Sequence, residues 1–537
     1  MTPILRTLFL LLLAVASVPG DLLAQTAGAP PDLDAYVGRA LKTFEVPGMA
    51  LAIVKDDAVV AAKGYGVRKL GDPTLVDSKT LFGIASNTKV FTTTALGLLV
   101  EEGKIKWDDP VIRYLPWFQM WDPYVTRELT IRDLLVHRSG LGLGAGDLLW
   151  WPPSTYNRKE IARRLRYVRP VTSFRSAYAY DNVLYLVAGE VIETVSGQSW
   201  EDFVDKRILN KVGMTTSSVR HSAATAGGNI AATHARIDGK VRPIAPFDSD
   251  NTNPAGGINS NAQDMAKWLQ VLLKQGQLPD SSRLFGAATW RQLTTIVTPV
   301  PIGIVPLELA ALRPNFSGYA LGLGVRDYRG RKVITHTGGL PGYVSRVLII
   351  PEERLGVAVL TNQESEEAYD SIAYRIVDHY LGLPAADWIA AFDKVRAGRL
   401  AETTTTEKKA PVARPAETAA KKAPGARETI SKPPLPVERY AGTYIDEWYG
   451  EMVITAEKGL ITIRFSKTPA LTGDLVHYQH DTFIARWKNR ELRADAYVTF
   501  GFRPDGSIEQ VKMQAVSSKT DFSYDFQDLL FRPPPRP

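Results

Sequence analysis

The sequence reads as an α/β domain, an antiparallel sheet flanked by helices with a helical region beside it, followed by a small all-β barrel. Three observations lead there. Strand-like apolar runs occur near both ends of residues 32–385, with helical apolar spacing between them. Residues 401–436 are rich in Ala, Thr, Pro and Lys, with hardly an aromatic or large aliphatic side chain. Beyond them, strand-like runs recur at short and even intervals.

The N-terminus comes first. Arg6 precedes the apolar run Leu8–Ala16, which is too short to span a bilayer comfortably. Small residues follow, and Asp21–Ala24 ends at a plausible cleavage point before Gln25. This is the layout of a secretory signal peptide, with an uncleaved anchor as the other reading. Residues 1–24 are therefore expected to direct the chain to the periplasm or outside the cell, leaving no stable membrane span.

Asp32–Phe44 has the spacing of an amphipathic helix. Met49–Val54 and Ala58–Tyr65 follow as strands, with Lys55-Asp56-Asp57 as the hairpin turn between them. Ser86–Glu102 is a long helical pattern that stops at Gly103. Leu129–His137 reads as a further helix, capped by Thr130 with Asp133 in the capping-box position. Val183–Val195 and Asp264–Lys274 are also apolar at helical spacing. Then Leu321–Val325, Lys332–Thr337, Ser345–Ile350 and Leu355–Leu360 read as short strands, and Ser371–Leu381 closes the domain as a helix. Strands from both ends imply one sheet, with the middle of the chain packed against it and a cleft between.

Residues 401–436 cannot bury enough apolar surface to order themselves and read as a linker. Strands are expected at Met452–Thr455, Leu460–Phe465, Thr482–Arg486, Tyr497–Phe502 and Ile508–Met513, with turns at Glu457-Lys-Gly459 and Pro504-Asp-Gly506. Residues 437–533 would form an antiparallel barrel or sandwich.

Composition narrows the function. The 537 residues are 45% hydrophobic and 23% charged, as in a globular protein with a large core. No cysteine is present, which rules out disulfides, thiolate catalysis, cysteine-ligated zinc and a cysteine lipid anchor. The formal charge of +7 lies partly in residues 401–436, and no nucleic-acid motif accompanies it. The seven histidines lack His-Glu-x-x-His spacing, so neither a metal nor another cofactor is expected. No serine lies in a Gly-x-Ser-x-Gly setting, which argues against an α/β-hydrolase. Oligomeric state is left open.

Three groups of residues suggest chemistry. Ser86-Asn-Thr-Lys89 opens a helix, and residues three apart on a helix are neighbours. Lys89 can therefore lie beside the Ser86 hydroxyl, a poor nucleophile until a base takes its proton. Alone, Ser86 reads as readily as a helix cap with a solvent lysine. Tyr180-Asp-Asn182 follows; beside a positive Lys89, the Tyr180 phenol would be held as phenolate and relay protons. His336-Thr337-Gly338-Gly339 ends a strand, where glycines let a substrate approach the backbone. Backbone N–H groups of Ser86 and Gly339 could then form an oxyanion hole.

Together these groups resemble the β-lactamase and penicillin-binding-protein superfamily of serine hydrolases. The Tyr-x-Asn form of the second motif is similar to class C β-lactamases, D-amino-acid peptidases and related esterases. Leu129–Leu141 and Pro254-Ala-Gly-Gly257, with Ser260 and Asp264, match the same branch. The resemblance implies that Ser86 is the nucleophile, Lys89 its activator and Tyr180 the general base and acid. It also implies that Asn182, His336, Thr337, Gly338 and Gly339 bind substrate. Residues from Tyr440-Ala-Gly-Thr-Tyr444 onward are similar to the lipocalin-like domain often appended to such hydrolases.

The expected protein is a secreted serine hydrolase acting on an ester or amide through an acyl-enzyme. Its substrate class is open among D-amino-acid peptides, esters and β-lactams. The alternative is a sensor that captures a cell-wall peptide or acyl ligand without turnover. His336 stands where β-lactam-hydrolysing relatives usually carry lysine, and a largely neutral imidazole there weakens the case for penicillin turnover. Trp150-Trp-Pro-Pro153 and Tyr156 would roof the cleft or pack as a lid. Arg163, Arg164, Arg166 and Arg169 are expected on the wet face of a short helix, and His137 in a structural role.

Overall fold

In the computed structural model, which describes residues 28–222, 228–407 and 433–534, strands from both ends of the first domain meet in one eight-stranded antiparallel sheet. The strands are β1 (Gly48–Lys55), β2 (Ala58–Gly66), β3 (Thr298–Pro299), β4 (Ser317–Tyr319), β5 (Gly324–Tyr328), β6 (Arg331–Leu340), β7 (Tyr343–Ile350) and β8 (Leu355–Thr361). Their order is β2-β1-β8-β7-β6-β5-β4-β3. Asp56 and Asp57 take positive φ, 50° and 69°, as the β1–β2 hairpin turn requires. β1, β7 and β8 are buried along nearly their whole length, because helices cover both faces.

One face carries α1 (Leu33–Phe44) and the C-terminal helices. Leu33, Tyr36, Val37, Ala40 and Phe44 of α1 share a core with the sheet residues Leu51, Ile53, Leu348 and Val357. The other face packs against α2 (Lys89–Glu101), α3 (Val183–Ser196) and α4 (Ala262–Leu273). α2 is buried from Lys89 to Leu99, so it runs through the core with no polar side to show to water. On the first face, α5 (Glu366–Tyr380) and α6 (Trp388–Glu407) complete the domain.

Several expectations shift. The strand expected at Leu321–Val325 begins at Gly324, because Gly322 turns the chain at φ 83°. Leu129–His137 is not a helix: only the 3₁₀ turn Asp133–Leu135 forms. Asp133 does bind the Thr130 amide and hydroxyl, at 3.1 and 2.7 Å, but it also holds Arg138 and Arg175 at 2.9 and 2.6 Å. His137, at φ 55°, then turns the chain away. Residues 401–407 continue α6, and the rest of the expected linker to residue 432 lies outside the described residues, as does the expected signal peptide.

The second domain is an eight-stranded antiparallel barrel, β9 (Gly442–Asp446), β10 (Gly450–Glu457), β11 (Leu460–Phe465), β12 (Thr472–Gln479), β13 (Thr482–Trp487), β14 (Ala496–Phe502), β15 (Ile508–Ala515) and β16 (Leu530–Phe531). Paired bonds between Ile445 and Arg532, 2.8 and 3.0 Å, draw the last strand to the first and nearly close it. Tyr440, Phe465, Phe483, Trp487 and Phe500 fill its interior, each at most 4% exposed. Buried side chains of the helical region and of the barrel form one contiguous apolar cluster.

Candidate active site

Ser86 sits on the 3₁₀ turn Ala85–Thr88 that leads into α2. Ala85 precedes it at φ 49°, a left-handed conformation that costs a non-glycine residue energy and persists only when the surroundings enforce it. They do. The Ser345 hydroxyl on β7 donates to the Ile84 carbonyl at 2.7 Å and accepts from the Asn87 amide at 2.8 Å. Gly338 of β6 lies so close that a Cβ there would be 2.2 Å from the Ile84 carbonyl oxygen. At Gly339 a Cβ would meet nothing within 4 Å. The first glycine is thus needed to pack the strand on the serine turn; only the second faces open space.

β5 pairs with β6 no further than Thr335, so from His336 to Leu340 one edge of β6 is left open beside the serine turn. A cavity of about 310 Å³ occupies this place. Ser86, Tyr180, Asn182, His336, Thr337, Gly338 and Gly339 all line it. Residues from three distant segments of the chain therefore converge.

Lys89 is wholly buried, and its Nζ has three neighbours: Ser86 Oγ at 3.1 Å, Asn182 Oδ1 at 2.7 Å and the Ala255 carbonyl at 3.0 Å. Two of these are carbonyl oxygens, which only accept. A neutral amine has two N–H bonds and one lone pair. With both N–H bonds given to Asn182 and Ala255, the lone pair is left pointing to the Ser86 hydroxyl. Burial drives the amine from its ordinary value down to about 7, against the opposing pull of Asp147 and Asp181. Those two carboxyls are themselves pushed up to about 7, chiefly by burial.

Asn182 is held by a second partner. Its Nδ2 donates to Asp147 Oδ2 at 2.8 Å, which fixes the amide with its oxygen toward Lys89. Asp147 also accepts from Trp150 Nε1 at 2.9 Å and from Ser523 of the barrel at 3.0 Å. The barrel loop is anchored further by Asp525, whose carboxyl accepts from the Gly146 and Leu148 amides at 2.7 and 3.0 Å. Asp521, Phe522 and Ser523 thereby become a wall of the cavity.

The Tyr180 ring lies 4.9 Å from Lys89 Nζ, and its phenol interacts with the Ser86 hydroxyl. The expected phenolate is not what this surrounding favours. Burial outweighs every other influence and raises the phenol well above its ordinary 10, so it keeps its proton. His336 Nδ1 lies 2.5 Å from the Thr337 carbonyl and Nε2 lies 2.7 Å from the Tyr319 hydroxyl. A carbonyl cannot donate, so Nδ1 carries the hydrogen and Nε2 accepts from Tyr319. Burial and the nearby Lys89 lower His336 to about 3, so the imidazole is neutral.

Trp150 and Trp151 line the cavity, whereas Tyr156 packs on Tyr449 of the barrel. Of the arginines, Arg163 and Arg169 are exposed as expected and Arg164 and Arg166 half-buried, and all four also find partners. Arg163 and Arg169 lie over the Trp117 and Trp121 rings, Arg164 donates to the Trp448 carbonyl at 3.0 Å, and Arg166 to that of Trp117 at 3.3 Å. His137 is buried against Tyr180 and accepts from the Asp181 amide at 3.2 Å. Sequence reasoning missed Asp147, Tyr319, Glu366 and Ser523, none of which lies in a motif.

Comparison with known proteins adds the relationships. Residues 33–382 match the family described as Beta-lactamase, and residues 426–533 match a domain of unknown function, DUF3471. The chain is 27% identical over 489 residues to "Unguisins hydrolase ungD" of Aspergillus violaceofuscus, covering 84% of this chain and 81% of that protein. It is 24% identical to "Protein flp" of Staphylococcus aureus, over 66% of this chain and 68% of that one. Among solved structures, the octameric penicillin-binding protein homologue from Pyrococcus abyssi superposes with a TM-score of 0.58 at 21% identity, covering 93% and 99% of the two chains. SurE gives 0.53 at 19% identity, covering 93% and 98%. These two likenesses speak to the fold.

Proposed function

Since the chain belongs to the beta-lactamase family and is a serine hydrolase on that ground, we propose that it cleaves an ester or amide bond through an acyl-enzyme on Ser86. The observation that carries the proposal is the Lys89 amine, with both N–H bonds committed to carbonyl oxygens and its lone pair left for the serine. An amine near pH 7 is matched to general-base work, because it is free and still basic at working pH.

Lys89 takes the Ser86 proton as Oγ bonds to the substrate carbonyl carbon. The resulting oxyanion is received by the backbone N–H groups of Ser86 and Gly339. Tyr180 gives its phenolic proton to the departing oxygen or nitrogen as the bond breaks, and Lys89 returns a proton to the phenolate. Water then attacks the acyl-enzyme, losing its proton by the same route in reverse and restoring Ser86. The neutral His336 supplies no charge, which favours peptides and esters over β-lactams in this reading. Hydrolysis is in keeping with the "Unguisins hydrolase ungD" among its relatives. Residues 1–24 suggest action outside the cytoplasm.

A fluorophosphonate probe with peptide mass mapping tests this directly. The expected result is one label, on Ser86, and none on Ser86→Ala. Equal labelling of the two proteins would overturn the proposal. Stable labelling with no turnover of a D-peptide or a short-chain nitrophenyl ester would mean capture instead of hydrolysis.

A further inference from the structure

Two segments that are distant in sequence run side by side on the surface of the helical region. Lys159 and Arg163 each lie 5.3 Å from the Trp117 ring, and Arg169 lies 4.8 Å from that of Trp121. Between these points Arg166 donates to the Trp117 carbonyl at 3.3 Å. Residues 113–124 and 159–169 therefore form one strip, in which cations of the second segment rest on rings of the first. Spacing explains the arrangement. In the short helix Arg158–Arg164, Lys159 and Arg163 are four apart and share a face, while Ile161 and Ala162 are buried on the other.

The charge of the strip is not neutralised within the molecule. Arg163, Arg166 and Arg169 form no ion pair among the described residues; their partners are ring faces and backbone carbonyls. Lys159 is nearer to an acid, Glu190, and Arg113 pairs with Asp109 at 3.1 Å. The acids carried by the two segments serve the backbone as helix caps. Asp122 accepts from the Tyr124 amide at 2.7 Å, and Glu160 from the Asn157 amide at 2.9 Å. Among these cations three large rings are left in water: Trp121, Tyr124 and Tyr167 are 41, 56 and 41% exposed. A merely solvated face has no use for them. Amphipathic rings settle at the headgroup level of a bilayer, and guanidinium groups bind phosphate while their stems lie along apolar surface. Cations without acids of their own also complement the negative surface of anionic lipid.

We propose that this strip docks the protein on an anionic phospholipid surface. Trp121, Tyr124 and Tyr167 would enter the headgroup layer, with Arg163 and Arg169 on the lipid phosphates and Arg166 behind them. The proposal is independent of the acyl-enzyme reading.

The test titrates the full chain with vesicles of phosphatidylcholine and with vesicles of equal parts phosphatidylcholine and phosphatidylglycerol. Binding should be about a hundredfold tighter on the anionic vesicles, at about fivefold for each of three basic side chains near the surface, and should weaken as salt is raised. The double substitution Arg163→Gln/Arg169→Gln should lower anionic binding about tenfold or more and leave neutral binding unchanged. Any binding through the apolar run Leu8–Ala16 is common to wild type and variant. Trp121→Ala should weaken anionic binding about fivefold or more. Hydrogen exchange on anionic vesicles should slow in residues 113–128 and 158–169. Equal binding of wild type to the two vesicles, a ratio unchanged by the double substitution, or protection confined to other segments would overturn the proposal. Anionic binding untouched by Trp121→Ala would overturn it in favour of a soluble polyanion, for which polyphosphate is the probe.

Discussion

Ser523 of the barrel donates its hydroxyl to the buried carboxyl of Asp147 at 3.0 Å. Asp147 accepts from Asn182, and Asn182 accepts from Lys89. A residue of the second domain thus stands three hydrogen bonds from Lys89, the proposed base. Ser523→Ala removes a bond that favours the ionised form of Asp147. A more protonated Asp147 gives Lys89 less support as a cation, so the Lys89 pKa should fall. The acid limb of kcat/KM against pH should move to lower pH, and the plateau should fall about three- to tenfold through loss of one buried hydrogen bond. An unmoved limb would show that the barrel serine does not reach the base.

Gly338 and Gly339 adjoin in sequence but differ in need. A methyl at 338 meets the Ile84 carbonyl oxygen at 2.2 Å and Ser345 Oγ at 2.6 Å, while one at 339 meets nothing. Gly338→Ala should cost about 1–3 kcal/mol of stability by overpacking and, by shifting the serine turn, about a hundredfold in kcat. Gly339→Ala should leave stability within about 0.5 kcal/mol. Urea unfolding of the two variants makes the comparison.

The convergence of the motifs proposed as catalytic was legible because their spacing is local. Ser86 and Lys89 share a turn by spacing alone, and a neutral His336 follows from residue type. The partners that tune them were not. Asp147 and Ser523 are 376 positions apart and meet only because the barrel docks on the helical region. The partners of the exposed arginine run at 163–169 were hidden for a similar reason: the aromatic faces beneath Arg163 and Arg169, Trp117 and Trp121, come from an earlier loop. The helix expected at Leu129–His137 failed because Asp133 serves two arginines beyond its cap, one of them 42 positions away. In the barrel, β9 (GTYID) and β12 (TGDLVHYQ) escaped notice because polar residues dilute their alternation.

Asp133 supplies a stability prediction of its own. Its side chain is fully buried between Arg138 and Arg175. Asp133→Ala leaves two partly exposed cations without their counter-charge, removes the Thr130 contacts as well, and should cost about 2 kcal/mol. Denaturant unfolding checks this, with a loss below 1 kcal/mol assigning the cluster a minor part.

The claim at the centre is that a buried, neutral Lys89 deprotonates Ser86. Single-turnover acylation by a nitrophenyl ester, followed from pH 5 to 9, tests it most directly. The rate should rise as the amine loses its proton, with an inflection near pH 7, and Lys89→Met should lower it by about a hundredfold or more across the range. A rate independent of pH in wild type, or one kept by Lys89→Met, would contradict the account.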